Sequence, residues 1–362
     1  MSEPSVTAGP FTHEPVSITR TMGLVMLALL PATAFGIYEY GWPALFLWLL
    51  TIVTAVLGEA LCLRIAGKPV RPYLLDGSAV LTGWLLAMTL PPWAPWWIAV
   101  VGGLFAIVVG KQVFGGIGQN LFNPAMAARV ALLISFPLEM TTWVAPKPFF
   151  SEGAPDFFTS LGITFGSAFN IDTMSSASIL GHVKTELSRA VNVPDALQGS
   201  YDPLALLVGN VAGSLGETSA LLILGGGLFL LGMRIISWHI PVAMMGSLML
   251  LASVFHWIDP LRYPDALFHL LSGATLLGAF FIATDLVTSP VTQRGQLLFG
   301  AGCGVLMFII REWAGFPEGV AFAVMLMNGL TPLIDHYLKP RIYGRTRKGE
   351  PINYEAEGAG ND

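Results

Sequence analysis

Charge is scarce in this chain and cysteine scarcer. Asp, Glu, Lys and Arg make up 11% of the 362 residues, against about 25% in an average soluble domain. The two cysteines, Cys62 and Cys303, lie far apart in apolar runs, which excludes a disulfide framework and a cysteine metal or iron–sulfur site. There is no phosphate-cradling glycine loop, dinucleotide fingerprint, hydrolase nucleophile elbow or basic nucleic-acid patch. The first twenty residues are polar and lack an apolar core followed by a small-residue cleavage site, so no cleaved signal peptide is expected. What the chain has instead is apolar length: 54% of it is hydrophobic, in runs that reach the roughly 20 residues needed to cross a hydrocarbon core.

The runs number ten: 21–38, 43–63, 77–90, 94–111 and 121–137, then 217–233, 240–257, 270–284, 296–310 and 318–338. Residues 203–214 are too short to count. The two sets of five resemble each other. Ser78-Ala-Val-Leu-Thr-Gly83 aligns with Gly273-Ala-Thr-Leu-Leu-Gly278, and Phe114-Gly-Gly116 precedes the fifth run much as Ala314-Gly315-Phe316 precedes the tenth. A repeat with an odd number of spans is inverted across the membrane, a plan common in proteins that move solutes or charge. The expected fold is therefore an all-α polytopic membrane protein, about ten transmembrane helices in an inverted 5+5 repeat. Its parts are an N-terminal segment (1–20), membrane repeat 1 (21–137), an outer loop (138–216), membrane repeat 2 (217–338) and a basic, then flexible, tail (339–362).

With a cytoplasmic start, twelve Lys and Arg fall inside, Lys111 among them, and five outside, including Lys184, Arg262 and Arg311. That is the positive-inside bias. It places both termini in the cytoplasm of a bacterial inner-membrane protein, with Trp42, Trp93, Trp96, Trp97, Trp257 and Trp313 at the outer ends of spans. Pro91-Pro92, Gly115-Gly116, Asn123-Pro124, Pro290, Gly315 and Pro332 interrupt the runs; broken backbone at membrane depth marks either a buried polar site or the end of a short helix. Ionisable groups within spans call for a reason. Glu59 and Arg129 read either as a buried ion pair or as part of a cation pathway, and Asp285 as a helix-end residue or a pathway carboxylate. His239, His256, His269 and His336 sit near span ends without i, i+4 pairing and read as interfacial side chains.

Two small-residue motifs offer a hydroxyl. Asp172-x-x-Ser175-x-Ala177-Ser178 lies in the outer loop and reads as a solvated Ser-rich turn or as the carrier of a bulky group. Ser272-Gly273-Ala274-Thr275 heads an apolar run, where small residues serve close helix packing.

Gly115-Gly-Ile-Gly-Gln-Asn-Leu-Phe-Asn-Pro-Ala125, Leu271-Ser-Gly-Ala-Thr-Leu-Leu-Gly-Ala-Phe-Phe281, Thr284-Asp285 and Gly319-Val-Ala-Phe-Ala323 give the chain a resemblance over nearly its whole length. It resembles the D subunit of the Rnf electron-transport complex and, more distantly, the B subunit of the sodium-translocating NADH:quinone oxidoreductase. The resemblance implies flavin mononucleotide (FMN) linked through its phosphate to a hydroxyl in a D-G-x-S-x-A-T motif. Asp172, Ser175 and Ala177 match, Ser178 takes the acceptor position in place of Thr, and Thr173 stands where Gly is usual. It also implies a second, non-covalent flavin, riboflavin, for which Asn120 and Asn123 are the candidate residues. The implied partners are the other complex subunits and, during maturation, a flavin transferase. Ferredoxin and NAD are met only through those subunits, and lipid surrounds the whole. The implied activity couples electron transfer between ferredoxin and NAD to sodium or proton movement, with Glu59 and Asp285 on a possible ion path. From the residues alone, a small-solute channel or transporter of inverted-repeat type remains the alternative.

Overall fold

A computed structural model describes residues 17–166, 178–199, 201–209 and 211–340. Its principal helices are α1 (Ile18–Tyr40), α2 (Trp42–Ile65), α3 (Ser78–Thr89), α4 (Trp96–Leu104, continuing as wider π turns over Phe105–Gln112) and α5 (Pro124–Ser135). After the long connection come α6 (Ala220–Gly232), α7 (His239–Ile258), α8 (Thr275–Leu277, continuing as π turns over Gly278–Ile282), α9 (Gln293–Trp313) and α10 (Val320–Tyr337). Each of the ten expected runs is thus helical. Four of the helices, α1, α2, α7 and α9, are long and apolar enough to cross a membrane, and α3 to α6 are shorter apolar helices. The connection is itself helical in pieces, Phe157–Phe165, Ile179–Ser188, Val193–Leu197 and Pro203–Val208.

Local chemistry fixes the ends. Gly41, at φ +74°, turns the chain between α1 and α2, and Pro43 occupies the first turn of α2, where its missing N–H costs nothing. Gly77, at φ +80°, opens α3, and Asp76 Oδ1 accepts from both the amide and the hydroxyl of Ser78. Asn123 caps α5, its Oδ1 accepting from the amides of Ala125 and Met126. Pro332, expected to break the tenth run, lies inside α10, as Pro31 does inside α1; neighbouring groups satisfy the freed carbonyls of such helices.

Packing repeats between the two halves. α2 lies against α3 and α4, α7 against α9; α4 packs on α5 and α9 on α10; across the molecule α1 meets α6 and α5 meets α10. The core between the halves holds Leu86, Met88, Ala125, Leu277, Phe280 and Phe299. Lipid tails are as apolar as these side chains, so close backbone approach replaces the hydrophobic effect as the source of helix association. Gly300 and Gly304, one turn apart on α9, show it: a Cβ on Gly300 would stand 2.6 Å from the Ile240 carbonyl oxygen, and one on Gly304 would run into the Met244 carbonyl and Ser247 Oγ of α7. Gly304→Val is expected to destabilise the detergent-solubilised protein by about 1–3 kcal/mol through overpacking, read as a lowered unfolding temperature. Gly246→Ala, in open space on α7, is expected to leave that temperature unchanged or raise it.

Candidate functional site

Polar chemistry gathers at two depths. The first is an inner cavity of about 90 Å³, at the face where α1 begins, bordered by Thr21, Ser78, Lys111, Asn120, Asn123 and Asp285. Both π stretches contribute to its wall, α4 through Lys111 and α8 through Phe280 and Phe281. Single π turns inside helices concentrate at functional sites.

Lys111 organises one side of this cavity. Its ammonium donates to both carboxylate oxygens of Glu59, at 2.7 and 2.8 Å, and to Ser78 Oγ at 2.7 Å. Gln112 Nε2 adds a bond to Glu59 Oε1. The pair is sealed, with side chains 3% and 2% exposed. Glu59 is therefore not paired with Arg129. Lys111, expected among the loop cations, is instead buried, because the π turns carry α4 one residue past the apolar run and swing it under α2. Arg129 is buried near the opposite face, with Nη1 3.6 Å from Met140 Sδ and the guanidinium over the Trp143 ring. Among the described carboxylates, Glu217 and Glu318 are those whose charges act on it.

Of the other expected residues, Asp285 borders the cavity and holds its own loop, accepting from the Val287 amide and the Thr288 hydroxyl. Asn120 and Asn123 border it as well, with their amides largely engaged. Asn120 Nδ2 donates to the Phe122 carbonyl, and Asn123 is the α5 cap. Asp285 thus borders the inner cavity directly, whereas Glu59 is joined to it only through Lys111.

The second site lies at the far face, where α1 and α5 end. Asp172, Ser175 and Ala177 fall outside the described residues; Ser178 is described. It caps the Ile179–Ser188 helix, its Oγ accepting from the Gly181 amide at 3.2 Å. The residue is 8% exposed and borders a cavity of about 380 Å³ with Trp143, Gly181, Lys184, Thr185, Ser188, Gly315 and Pro317. Lys184 fastens this helix to the bundle. Its ammonium donates to the carbonyls of Arg311 (2.7 Å), Phe316 (3.0 Å), Ile310 (3.5 Å) and Ala314, capping the C-terminal end of α9, a position that suits a cation. Burial holds the Lys184 pKa below the ordinary lysine value, with the Glu312 charge opposing.

The competing hydroxyl is closed off. Thr275 is fully buried, donates toward the carbonyls of His269 and Ser272, and accepts from Arg311 Nη2 at 2.9 Å. Arg311 also binds the carbonyls of His269 (2.7 Å) and Ser272 (3.0 Å) and the Glu318 carboxylate (3.2 Å). Arg311, expected in an outer loop, and His269, expected at the interface, are both buried. The chain breaks at Ser272–Gly273, with Gly273 at φ +65°, and Arg311 reaches from α9 to the carbonyls this break leaves free. Trp93, expected at the membrane surface, is buried too and donates to the Tyr40 carbonyl. A signal for the two cations was present: Lys111 and Arg311 each close the fourth apolar run of their half, 200 residues apart.

Against known proteins, the family described as NQR2, RnfD, RnfE matches residues 5–344. The chain belongs to this family. Relatives named as the D subunit of an ion-translocating oxidoreductase complex align along most of it. That of Halorhodospira halophila (strain DSM 244 / SL1) is 54% identical over 358 residues, covering 99% of this chain and 100% of the relative. That of Stutzerimonas stutzeri is 56% identical over 336 residues (93% and 95%), and that of Rhodobacter capsulatus 51% over 303 (84% of each).

Two outcomes test these sites. Lys111→Met leaves the Glu59 carboxylate buried without its cation and is expected to cost about 3–5 kcal/mol. The Glu59→Gln/Lys111→Met double variant recovers most of that, both read from thermal unfolding in detergent. Lys184→Met strips the cation from the α9 carbonyls, at about 1–3 kcal/mol for a buried group left unsatisfied. It is expected to raise hydrogen exchange selectively in the Ile179–Ser188 helix.

Proposed function

We propose that this chain is the D-type membrane subunit of an Rnf-type ion-translocating oxidoreductase complex, carrying FMN as a phosphoester on Ser178. The observation that carries the attachment is the setting of Ser178: a hydroxyl at a helix N-terminus, on the rim of a cavity of about 380 Å³. That volume lies in the range of small-molecule pockets, about 300–1,000 Å³. A phosphate esterified to Ser178 meets the positive end of the Ile179–Ser188 helix dipole, a favourable place for an anion. Serine supplies the same nucleophilic oxygen as threonine. A hydroxyl is weak until activated, which fits attachment by a separate flavin transferase.

Bound FMN supplies one- and two-electron chemistry. The chain's own residues fix its position: Ser178 holds the tether, Lys184 locks the tethering helix onto α9, and Trp143 with Pro317 walls the cavity. Asn120 and Asn123, the residues proposed for riboflavin, border the inner cavity, and no electron step is assigned to them.

The wider reading is a ten-span inverted 5+5 repeat in a bacterial inner membrane, with both termini cytoplasmic and Ser178 outside. What supports the repeat is matched packing in the two halves, and matched cations. Lys111 binds Ser78 at the head of α3, and Arg311 binds Thr275 at the head of α8. Removing these two buried cations from the loop count leaves the excess of Lys and Arg on the α1-start side in place. The complex couples electron transfer between ferredoxin and NAD, handled by partner subunits, to sodium or proton movement past Glu59 and Asp285.

In-gel flavin fluorescence of the denatured protein tests the attachment. Wild type and Thr275→Ala are expected to fluoresce and Ser178→Ala to lose the band. A band that survives Ser178→Ala overturns the assignment. A native protein that releases no flavin and has no covalent flavin favours a small-solute channel or transporter.

A further inference from the structure

On the Ser178 side lies a second, larger cavity of about 630 Å³ to which the flavin reading gives no role. Its rim includes the exposed residues Ser188, Asn192, Leu261 and Arg262, and its floor is His269, Arg311 and Glu312. His269 is 1% exposed, and neither ring nitrogen has a hydrogen-bond partner; Arg311 Nε is also unpartnered. Leaving such buried groups unsatisfied costs about 1–3 kcal/mol each, so polar occupants belong here, and the volume admits on the order of 20 waters at about 30 Å³ each. Glu312 Oε1 stands 3.5 Å from His269 Nε2.

The floor of this cavity adjoins the head of α8, since Arg311 binds Thr275. Ten residues on, Asp285 borders the inner cavity. Helix covers only Thr275–Ile282 of that stretch, roughly 12 Å at 1.5 Å per residue. Two polar spaces opening toward opposite faces, divided by one short broken helix, form a path interrupted in the middle.

We propose that this cavity is the outer half of an ion path and that His269 and Glu312 form a pair that exchanges a proton with outside water. The proposal rests on the ion-translocating reading above and names the ion at this point. Hard cations take shells of oxygen ligands. Here one carboxylate faces Lys184, Arg262 and Arg311, with Asp259 at the rim and Glu318 engaged by Arg311. One carboxylate among three cations offers little of that shell, whereas an imidazole–carboxylate pair accepts and releases a proton. A proton reaching the pair forms an N–H or O–H bond, and that bond breaks as the proton passes to cavity water; no electrons move.

The test uses the assembled complex in membrane vesicles. A hydrophobic carbodiimide, which modifies protonated buried carboxyls, is titrated against pH and Glu312 is read by peptide mass spectrometry. Modification is expected to fall as pH rises, with the midpoint moving up in His269→Leu as the carboxylate loses the neutral imidazole N–H beside it. No modification of Glu312 at any pH, or a midpoint unmoved by His269→Leu, overturns the pair. Glu312→Gln is expected to lower proton release per electron by about ten-fold or more while flavin reduction stays near wild type, and Glu312→Asp to restore release. Wild-type proton release in Glu312→Gln overturns the path. A wild-type complex that moves no ions sinks the translocation reading instead, and the carbodiimide titration still decides the pair.

Discussion

A helix that starts or stops inside an apolar bundle leaves amides and carbonyls that no water can satisfy. Much of this molecule is arranged around that constraint. Two long cations supply missing partners for carbonyls: Arg311 reaches those of His269 and Ser272 at the break before α8, and Lys184 collects those at the end of α9. A third, Lys111, reaches the Ser78 hydroxyl at the head of α3. Each cation brings a charge into a place of low dielectric, and carboxylates follow: Glu59 on Lys111, Glu318 on Arg311, and Glu312 among Lys184, Arg262 and Arg311. The polar sites are built from the groups that make broken helices possible.

This explains why the inner cavity is small and the outer cavities are wide. At the inner site Lys111, Glu59, Gln112 and Ser78 satisfy one another directly, leaving little space. On the Ser178 side the loop helices pack through one face only, and Lys184 touches carbonyls instead of filling volume. The cavities beside Ser178 and beneath Arg262 remain, and the tether residue and the unpartnered His269 both open onto that region.

Much of the fold was legible. Hydrophobic runs of the right length located all ten principal helices. Asp285, named as an ionisable group within a run, borders the inner cavity, as do Asn120 and Asn123, which were named with Ser178 through the family resemblance. Lys111 was hidden because a lysine ending an apolar run looks like a loop residue, and only the π turns of α4 carry it inward. His269 was hidden for a related reason: its burial comes from packing against α7 and against Phe308 of α9.

The sequence by itself determined what depends on composition and nearest neighbours: a membrane-embedded helical chain, a cap at Asn123, turns at Gly41 and Gly77, and a hydroxyl at Ser178 outside the apolar runs. Tertiary structure alone decided the partners of charge. Glu59 could have met Arg129 or Lys111, and only the fold closes Arg311 over Thr275 and opens a cavity beside Ser178. The physical reason is that in an apolar surround the energy of a charged group is dominated by what lies within a few ångströms of it. Those neighbours come from segments tens to hundreds of residues away.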